Sequence, residues 1–254
     1  MNLETTLSDL NLNWIRDNIQ DEIATAARKQ RSHQEFFERL ITGEREHRDA
    51  ITIERRLKEA RLPGRKTMDG FDWSWPKKIN RDQIRHLFKL GFIEEKSNAV
   101  FIAGPGLGKS HIAIALACEA CQRQYRVLFT SAAEVVNNLN HAMAVNRLGS
   151  AIRRYLVPAL VVIDELGYAP VDPVGADLLF QVFSGRYERG ATIVTTNRAF
   201  RNWAKTFAND SNLASAVVDR VVHHCETVTI EGISYRLKGQ INIDETATDI
   251  ATET

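Results

Sequence analysis

The stretch Ala103-Gly104-Pro105-Gly106-Leu107-Gly108-Lys109-Ser110 decides the fold of this chain. It follows the short apolar run AVFIA (99–103) and precedes the helical pattern HIAIALACEACQ (111–122). Glycines at these places let backbone N–H groups converge on phosphate oxygens, and the start of the helix adds partial positive charge. The order of strand, glycine loop, Lys-Ser and helix therefore predicts a phosphate-binding loop.

Lys109 and Ser110 give this loop its chemistry. The Lys109 ammonium would reach the β- and γ-phosphates of a nucleoside triphosphate, and the Ser110 hydroxyl would bind Mg²⁺. Ala103 stands where the strict pattern opens with glycine, and alanine fits there if its φ is negative. The residues predicted to bind nucleotide are Gly104, Pro105, Gly106, Leu107, Gly108, Lys109, Ser110 and His111.

A second apolar run, ALVVID (159–164), ends in the acid pair Asp164-Glu165. In a phosphate-binding fold, Asp164 would hold the magnesium ion together with Ser110, and Glu165 would polarise a water for attack on the γ-phosphate. Asp164-Glu-Leu-Gly167 also fits the D-x-x-G pattern of GTPases, but the sequence has no N-K-x-D motif to read guanine. The predicted nucleotide is therefore ATP.

Two further positions are predicted to act on the γ-phosphate. Asn197 follows the run ATIVTT (191–196), where its amide can hydrogen-bond the attacking water or the γ-phosphate. A hydrolase of this type also needs a cation for the charge that develops on the phosphoryl group, and an arginine finger raises the rate ~10³–10⁵-fold. Arg220, at a predicted helix end that can face a neighbouring subunit, is the favoured candidate, and Arg186 is the alternative.

The chain changes character at residue 99. Residues 1–62 show helical periodicity, with a capping-box pattern at Ser32–Glu35 and with Gly43 as a weak point in a long helix. From residue 99 onward, short β-branched runs alternate with helical stretches, which predicts a parallel sheet covered on both faces. The predicted division is a helical N-terminal domain for partner or DNA interaction (1–66), a basic connector (67–98), an α/β core (99–238) and a disordered acidic tail (239–254).

The composition of the 254 residues is that of an ordinary globular chain, with 44% hydrophobic and 26% charged residues. Three cysteines cannot form a disulfide framework, and no apolar run approaches the ~18 residues of a membrane span. These features predict a soluble cytoplasmic protein without a membrane partner. Cys118 and Cys121 have the C-x-x-C spacing of zinc sites, but they fall in an apolar helical pattern that favours buried thiols, so we predict no zinc.

The net charge of only +1 hides an uneven distribution. Residues 28–66 hold 12 Lys or Arg against 7 Asp or Glu, and residues 77–89 hold five bases against one acid. Basic patches attract nucleic acid, although a solvated helix face gives the same pattern. The predicted DNA contacts are Lys77, Lys78, Arg81, Arg85, Lys89, Arg153, Arg154, Arg198 and Arg201.

Several longer motifs carry a family resemblance. They are ERRLKEARLP (54–63), VIDELGY (162–168), DRVVHH (219–224) and IEGISYR (230–236), in addition to the phosphate loop. The chain resembles the IstB-type transposition helper ATPases, which are relatives of the DnaC helicase loader within the AAA+ class. By motif position, Lys109, Ser110, Asp164, Glu165 and Asn197 take the roles given above, and Arg220 matches the finger arginine.

The resemblance implies more than the residue pattern does. It implies an AAA+ P-loop core with strand order 5-1-4-3-2, ATP sites at subunit interfaces, and assembly into rings or helical filaments. It also implies ATP-dependent binding and bending of duplex DNA and stimulation of a cognate transposase. Typical AAA+ proteins carry a helical lid with a sensing arginine after the last strand, and too little of this chain follows Glu231 for such a lid, so we expect both to be missing.

Three other functions stay open from the sequence. A DnaC-like replicative helicase loader shares every ATPase motif, and its choice of partner would distinguish it. A small-molecule kinase shares the phosphate loop but needs a pocket for its acceptor. A nucleotide-gated scaffold would use the same residues to bind ATP while hardly hydrolysing it. The leading interpretation is an ATPase that oligomerises on duplex DNA and assists a transposase.

Overall fold

The computed structural model describes residues 2–237. The chain divides into two compact units, Met1–Arg55 and Arg56–Thr254. The predicted disordered tail, 239–254, lies outside the described residues. Within residues 2–237 no helix combines the length and the apolar character needed to cross a bilayer.

The first unit is built from helices α1 (Leu3–Asp9), α2 (Asn13–Arg28) and most of α3 (His33–Glu59). Its core is small, with Leu7, Ile15 and Leu40 as the buried apolar side chains. The predicted capping box is confirmed: the Glu35 carboxylate accepts from the Ser32 N–H at 2.8 Å, and the Ser32 hydroxyl accepts from the Glu35 N–H at 3.2 Å. These bonds satisfy two donors at the start of α3.

Gly43, the predicted weak point, does not interrupt the long helix. Helix α3 continues through it without a break. A Cβ at Gly43 would lie 2.3 Å from the ring of Trp14, so glycine is needed here for Trp14 to pack closely against the helix. The lost helix propensity, roughly 1 kcal/mol, is offset by this packing.

The second unit contains a five-stranded parallel sheet in the order β2-β3-β4-β1-β5, which is the predicted 5-1-4-3-2 order. Asn98 pairs with Cys225 on one side of β1, and Ala99 pairs with Ile193 on the other. All carboxyl ends therefore meet at one edge of the sheet. The strands are β1 (Asn98–Ala103), β2 (Val127–Ser131), β3 (Leu160–Leu166), β4 (Ala191–Thr196) and β5 (Cys225–Ile230).

Helices cover both faces of this sheet. On one face, Phe101 of β1 packs in a cluster with apolar side chains of three helices: α4 (Arg81–Leu87), α5 (Gly91–Glu94) and α6 (Lys109–Gln122). On the other face, Val100 packs in a second cluster. The helices of that layer are α7 (Ala132–Ala144), α8 (Leu148–Leu156), α9 (Pro173–Arg186) and α10 (Ser211–Val222).

The structure divides the chain earlier than the boundary predicted after residue 66. Ala60 is fully buried in the cluster around α6, and Leu57 and Leu62 pack against that cluster. The Ala60 carbonyl also accepts a hydrogen bond from the Phe129 N–H at 2.8 Å. Residues after Arg55 therefore belong to the α/β unit. The predicted connector belongs to it as well, because Ile84 and Leu87 are buried in the same core.

Candidate nucleotide site

The phosphate loop turns sharply between β1 and α6. Gly106 has φ +72° and Gly108 has φ +88°. These values lie in the left-handed region, which strongly favours glycine. The loop borders a cavity of about 440 Å³ at the carboxyl edge of the sheet. Residues of the loop and of the ends of β3 and β4 form what we term the sheet-side wall of this cavity. Its lining residues are Pro105, Gly106, Leu107, Gly108, Lys109, Ser110, His111, Glu165, Tyr168, Thr196 and Asn197.

Ser110 and Asp164 are brought together as the sequence predicts for a magnesium pair. The Ser110 hydroxyl donates to Asp164 Oδ1 at 2.9 Å. Thr195, which the sequence analysis passed over, donates its hydroxyl to the same Asp164 oxygen. Thr195 is fully buried on β4, beside the strand that carries Asp164. A buried hydroxyl on the strand next to the acid pair was the signal that could have identified it.

Glu165 is held in an unusual backbone conformation. Its φ of +60° lies in the left-handed region, and the register between β3 and β4 is irregular from Ile163 to Leu166. The Glu165 N–H donates to Thr195 Oγ1 at 3.0 Å, so one threonine fixes both acids. The Glu165 side chain is exposed and lines the cavity. Backbone strain held in place by neighbouring contacts is common where a side chain must point at a substrate.

Lys109 is half-buried at the start of α6. Its ammonium donates to the Gly104 carbonyl at 2.8 Å, which leaves two further N–H groups for a ligand. Burial lowers the pKa of Lys109 below its ordinary value, while the charges of Asp164 and Glu165 act to raise it. An anion at this position would replace the lost hydration of the ammonium.

The cavity has a second group of lining residues, here called the outer wall, which was not predicted. It consists of Lys66, Gly70, Phe71, Asp72, Trp75, Pro76, Tyr235 and Arg236. These residues come from the segment before α4 and from the segment after β5, which reaches a single 3-10 turn at Tyr235–Leu237. His111 bridges the two walls, because its Nε2 lies 2.9 Å from the Thr67 carbonyl oxygen. The IEGISYR motif was the available signal for Tyr235 and Arg236.

Arg220 lies in the last turn of α10, away from the residues that line the cavity. Its guanidinium donates to the Ala216 carbonyl at 2.8 Å and lies 4.9 Å from the centre of the Phe180 ring. It is half-buried. It therefore does not act on the cavity of its own chain in this structure.

The prediction of Arg186 as an alternative arginine finger is wrong. Its side chain is 2% exposed. The guanidinium donates to the Tyr155 carbonyl at 2.7 Å, to the Pro158 carbonyl at 3.1 Å and to Thr192 Oγ1 at 3.0 Å. Burial lowers its pKa to about 10. Arg186 is thus a structural residue that ties α9 to the beginnings of β3 and β4, and it cannot reach another subunit.

The predicted DNA contacts do not form one patch. Arg81 and Arg85 lie on α4, on the sheet face covered by α6, whereas Arg153 and Arg154 lie on α8, on the opposite face. Arg198 is half-buried and donates to the Gly167 carbonyl at 2.6 Å. It therefore stabilises the loop after β3 and is not freely exposed on the surface. The exposed candidates are Lys77, Lys78, Arg81, Arg85, Lys89, Arg153 and Arg201.

The cysteines of the C-x-x-C pair are buried in α6, as predicted. Burial raises the pKa of Cys121 to about 12, so its thiolate is strongly disfavoured. A separate group of possible metal ligands lies at the surface, where Glu188, His223 and His224 have ligand atoms within 4.8 Å of one another.

The residues present fit a nucleotide with magnesium. The glycine cradle, the Lys109 ammonium and the Ser110–Asp164 pair supply the donors and the oxygen ligands that polyphosphate and Mg²⁺ require. Residues 5–242 match the IstB-like ATP binding protein family. The chain belongs to this family.

Relatives of the IstB-like protein come from insertion sequences. It is 39% identical to a protein named for ATP binding in IS5376 of Geobacillus stearothermophilus, and the match covers 82% of each chain. It is 36% identical to the corresponding protein of IS21 in Pseudomonas aeruginosa, over 93% of this chain and 89% of that one. The predicted family resemblance is therefore confirmed.

Solved structures of other proteins share the fold of the IstB-like chain. A crystal structure of the DnaC helicase loader superposes with a TM-score of 0.52 at 21% identity, covering 65% of this chain and 96% of that one. AMPPCP-bound DnaA from Aquifex aeolicus gives 0.56 at 17% identity, covering 67% and 51%. At these identities the likeness concerns the fold alone, and it confirms the predicted AAA+ P-loop architecture.

Proposed function

We propose that this IstB-like protein hydrolyses ATP and, with ATP bound, assembles on duplex DNA to assist a transposase. The observation that carries the proposal is the hydrogen-bonded group of Ser110, Asp164, Thr195 and Glu165, of which Ser110 and Glu165 line the cavity. A magnesium pair and a free carboxylate on the same cavity suit phosphoryl transfer to water. The insertion-sequence context of the relatives supports the biological role.

Each residue then has a separate task in the hydrolysis. Lys109 binds the β- and γ-phosphates, and Glu165 accepts the proton of the attacking water while the bond to the leaving ADP breaks. Asn197, at the end of β4, orients that water or the γ-phosphate. Ser110 and Asp164 would hold Mg²⁺, which supplies charge neutralisation at the phosphate oxygens.

The cation that completes the site comes from a second subunit in this proposal. Arg220 lies away from the cavity of its own chain, so it can serve only a neighbouring cavity. A contact in which one patch meets a different patch on the next copy repeats into a ring or a helical filament. Loss of the γ-phosphate then weakens the contact and releases the assembly.

Duplex DNA would be bound by the exposed bases of several subunits together. The proposed contacts are Lys77, Lys78, Arg81, Arg85, Lys89, Arg153 and Arg201. Each neutralised phosphate contributes about −0.9 to the slope of log K against log salt, so binding should be salt-sensitive. It should also be cooperative, because the contacts of linked subunits add together. Contacts to phosphates carry no sequence information directly, so we expect little sequence preference.

A titration of duplex DNA under three nucleotide conditions tests the proposal. We expect tight binding with ATP on the Glu165→Gln variant, which retains the triphosphate, and weak binding with ADP or without nucleotide. Electron microscopy of the ATP sample should show regular oligomers on the duplex. Equal affinity in all three conditions would contradict the mechanism.

Partner capture separates the transposition helper from a replicative helicase loader. The two share the ATP site, so the purified transposase of the same insertion sequence and the host replicative helicase must be compared directly. Retention of the transposase alone supports the proposal, and retention of the helicase alone favours the loader. A small-molecule kinase is tested by turnover, because ATP consumption that DNA stimulates without an added acceptor excludes it.

A further inference from the structure

Two turns at the amino edge of the sheet bring a carboxylate and two imidazoles together. Glu188 lies in the turn between α9 and β4, and His223 and His224 lie in the turn between α10 and β5. All three side chains are exposed, and the centres of the two imidazole rings are 4.2 Å apart. The prediction of no zinc rests on the cysteine pair. It does not cover this group, because Glu188 is distant in the chain from the two histidines.

Hydrogen bonds to Asn98, at the start of β1, hold the turn that carries the histidines. The Asn98 N–H donates to the His224 carbonyl at 2.7 Å, and the Asn98 side-chain amide donates to the Val221 carbonyl at 3.0 Å. The amide oxygen of Asn98 accepts from the Thr192 N–H on β4 at 3.0 Å. The histidine turn is therefore attached to two strands in the centre of the sheet.

The buried Arg186 holds the turn that carries Glu188. Its carbonyl accepts from the Arg189 N–H at 2.9 Å and from the Gly190 N–H at 3.0 Å, and its guanidinium donates to Thr192 Oγ1 at 3.0 Å. Glu188 itself has a φ of +56°, a left-handed conformation that persists only where the neighbouring structure fixes it. Both turns are thus positioned before any ligand binds, which lowers the entropy cost of binding.

The spacing within this group fits a shared ion better than a direct ion pair. His224 Nε2 lies 3.7 Å from Glu188 Oε1, which is too far for a hydrogen bond. Two ligand atoms about 2.1 Å from a tetrahedral zinc ion lie roughly 3.4 Å from each other. The Tyr187 hydroxyl oxygen lies 2.7 Å from His223 Nδ1. When that nitrogen donates its proton to the tyrosine, the ring is oriented and its Nε2 lone pair can bind a metal ion.

The charges around the group favour a cation. Burial raises the pKa of the Tyr187 phenol, and the negative charges of Glu188 and Asp219 raise it further, while Arg220 acts in the opposite direction. The carboxyl end of α10 adds the partial negative charge of a helix C-terminus. A metal ion at this place would therefore meet more negative than positive charge.

We propose that Glu188, His223 and His224 bind one zinc ion, with a fourth position open to water. Two imidazoles and a carboxylate suit zinc, whereas Mg²⁺ and Ca²⁺ prefer oxygen ligands. The ion would join the turn before β4 to the turn before β5. This site lies at the amino edge of the sheet and the nucleotide cavity at the carboxyl edge, so zinc binding does not depend on the proposed ATP function.

Calorimetric titration of zinc into the untagged full chain, without nucleotide or Mg²⁺, tests the proposal. We expect the wild type to bind one ion per chain. Tyr187→Phe removes only the outer hydrogen bond and should weaken zinc binding roughly 10–100-fold. Glu188→Ala and His224→Ala each remove a ligand and should weaken it by more than that. His141→Ala removes an exposed histidine of α7 and should bind zinc as the wild type does.

Thermal unfolding of the same proteins gives an independent readout. An ion that binds only the folded state raises the thermal midpoint. Zinc should therefore raise the midpoint of the wild type and of His141→Ala, but not that of Glu188→Ala or His224→Ala. Wild-type midpoints without zinc show that a variant folds, and Glu188→Ala alone is sufficient if His224→Ala does not. An excess of Mg²⁺ should not displace the zinc.

Three results would overturn the proposal. The first is a wild type that binds no zinc. The second is equal zinc affinity in the wild type and in the variants that lack a ligand, because the ion would then be bound elsewhere, for example by thiols. The third is displacement of the zinc by Mg²⁺, which would mean that oxygen ligands hold the ion.

Discussion

The two walls of the cavity are built in different ways. The sheet-side wall follows β1, β3 and β4, which are in the centre of the sheet. Ser110 of this wall and the buried Thr195 both donate hydrogen bonds to Asp164. The outer wall consists of two short segments with little regular structure, joined by contacts such as the Trp75 bond to Ile233.

The two walls therefore suit different roles, hydrolysis for the sheet-side wall and a response to bound nucleotide for the outer wall. Groups that must be placed accurately for hydrolysis lie on the sheet-side wall, because the strands cannot move without disrupting the core. The outer wall lies on two segments with little helix or strand, and such segments open at lower free energy than a core strand does. A nucleotide that touches both walls would therefore be positioned by the first and would order the second.

The largest expected effect comes from a residue on neither wall. Arg220→Ala should lower ATP turnover in the assembled protein ~10³–10⁵-fold, because an arginine finger neutralises charge in the transition state. ATP affinity of the isolated subunit should stay unchanged, since Arg220 does not line its own cavity. Steady-state turnover on duplex DNA and calorimetry measure the two quantities.

Mixing variants shows whether Arg220 acts between subunits. Arg220→Ala keeps its own cavity intact, and Glu165→Gln keeps its arginine. Random equimolar assembly through one repeating contact should restore about a quarter of the wild-type turnover, because about a quarter of the contacts join an intact cavity to an intact arginine. No recovery in the mixture would contradict a role in trans.

Glu165→Gln tests the sheet-side wall for chemistry. Turnover should fall ~10²–10⁴-fold, the contribution of a general base, while ATP binding is retained. Single-turnover hydrolysis and calorimetry on one preparation separate the two. If turnover is unaffected, Glu165 is not the base and the scaffold alternative gains support.

Lys109→Ala tests the same wall for phosphate binding. Turnover should fall ~10²–10³-fold, as for the removal of one donor to developing charge, and ATP affinity should fall with it. Lys205→Ala, an exposed lysine outside the cavity, is the matched control. A normal ATP affinity in Lys109→Ala would place the nucleotide elsewhere.

The smallest effect is expected where the two walls meet. Gly106→Ala adds a Cβ that collides with Ser234 and forces alanine into a left-handed conformation, at a cost of roughly 1–2 kcal/mol. The thermal midpoint and ATP affinity should both fall modestly. Gly64→Ala has open space around it and should change neither the thermal midpoint nor the ATP affinity. An equal loss in both variants would contradict a specific role of the contact between Gly106 and Ser234.

The sheet-side wall could be predicted because its signals are local in the sequence. The glycine loop and Asn197 directly follow strands, and Asp164-Glu165 ends the apolar part of another strand. Parallel strands present their carboxyl ends at one edge. Thr195 was not predicted as a site residue because the presence of threonine in a strand is normally explained by its β-propensity. Its role depends on the register of β3 against β4.

The outer wall could not be predicted from periodicity. Trp75 and Ile233 are far apart in sequence, and neither belongs to a helix or strand whose pattern would bring them together. The prediction of Arg186 as an arginine finger was wrong because the sequence does not show that the end of α9 turns this side chain toward the sheet. There, backbone carbonyls accept the hydrogen bonds of its guanidinium.

Amide hydrogen exchange of the wild-type protein, with and without ATP and Mg²⁺, tests most directly whether one nucleotide is held by both walls. The account predicts slower exchange in Gly104–His111 and in Glu231–Leu237 at the same nucleotide concentration. Protection of the phosphate loop alone, or of neither segment, would contradict it.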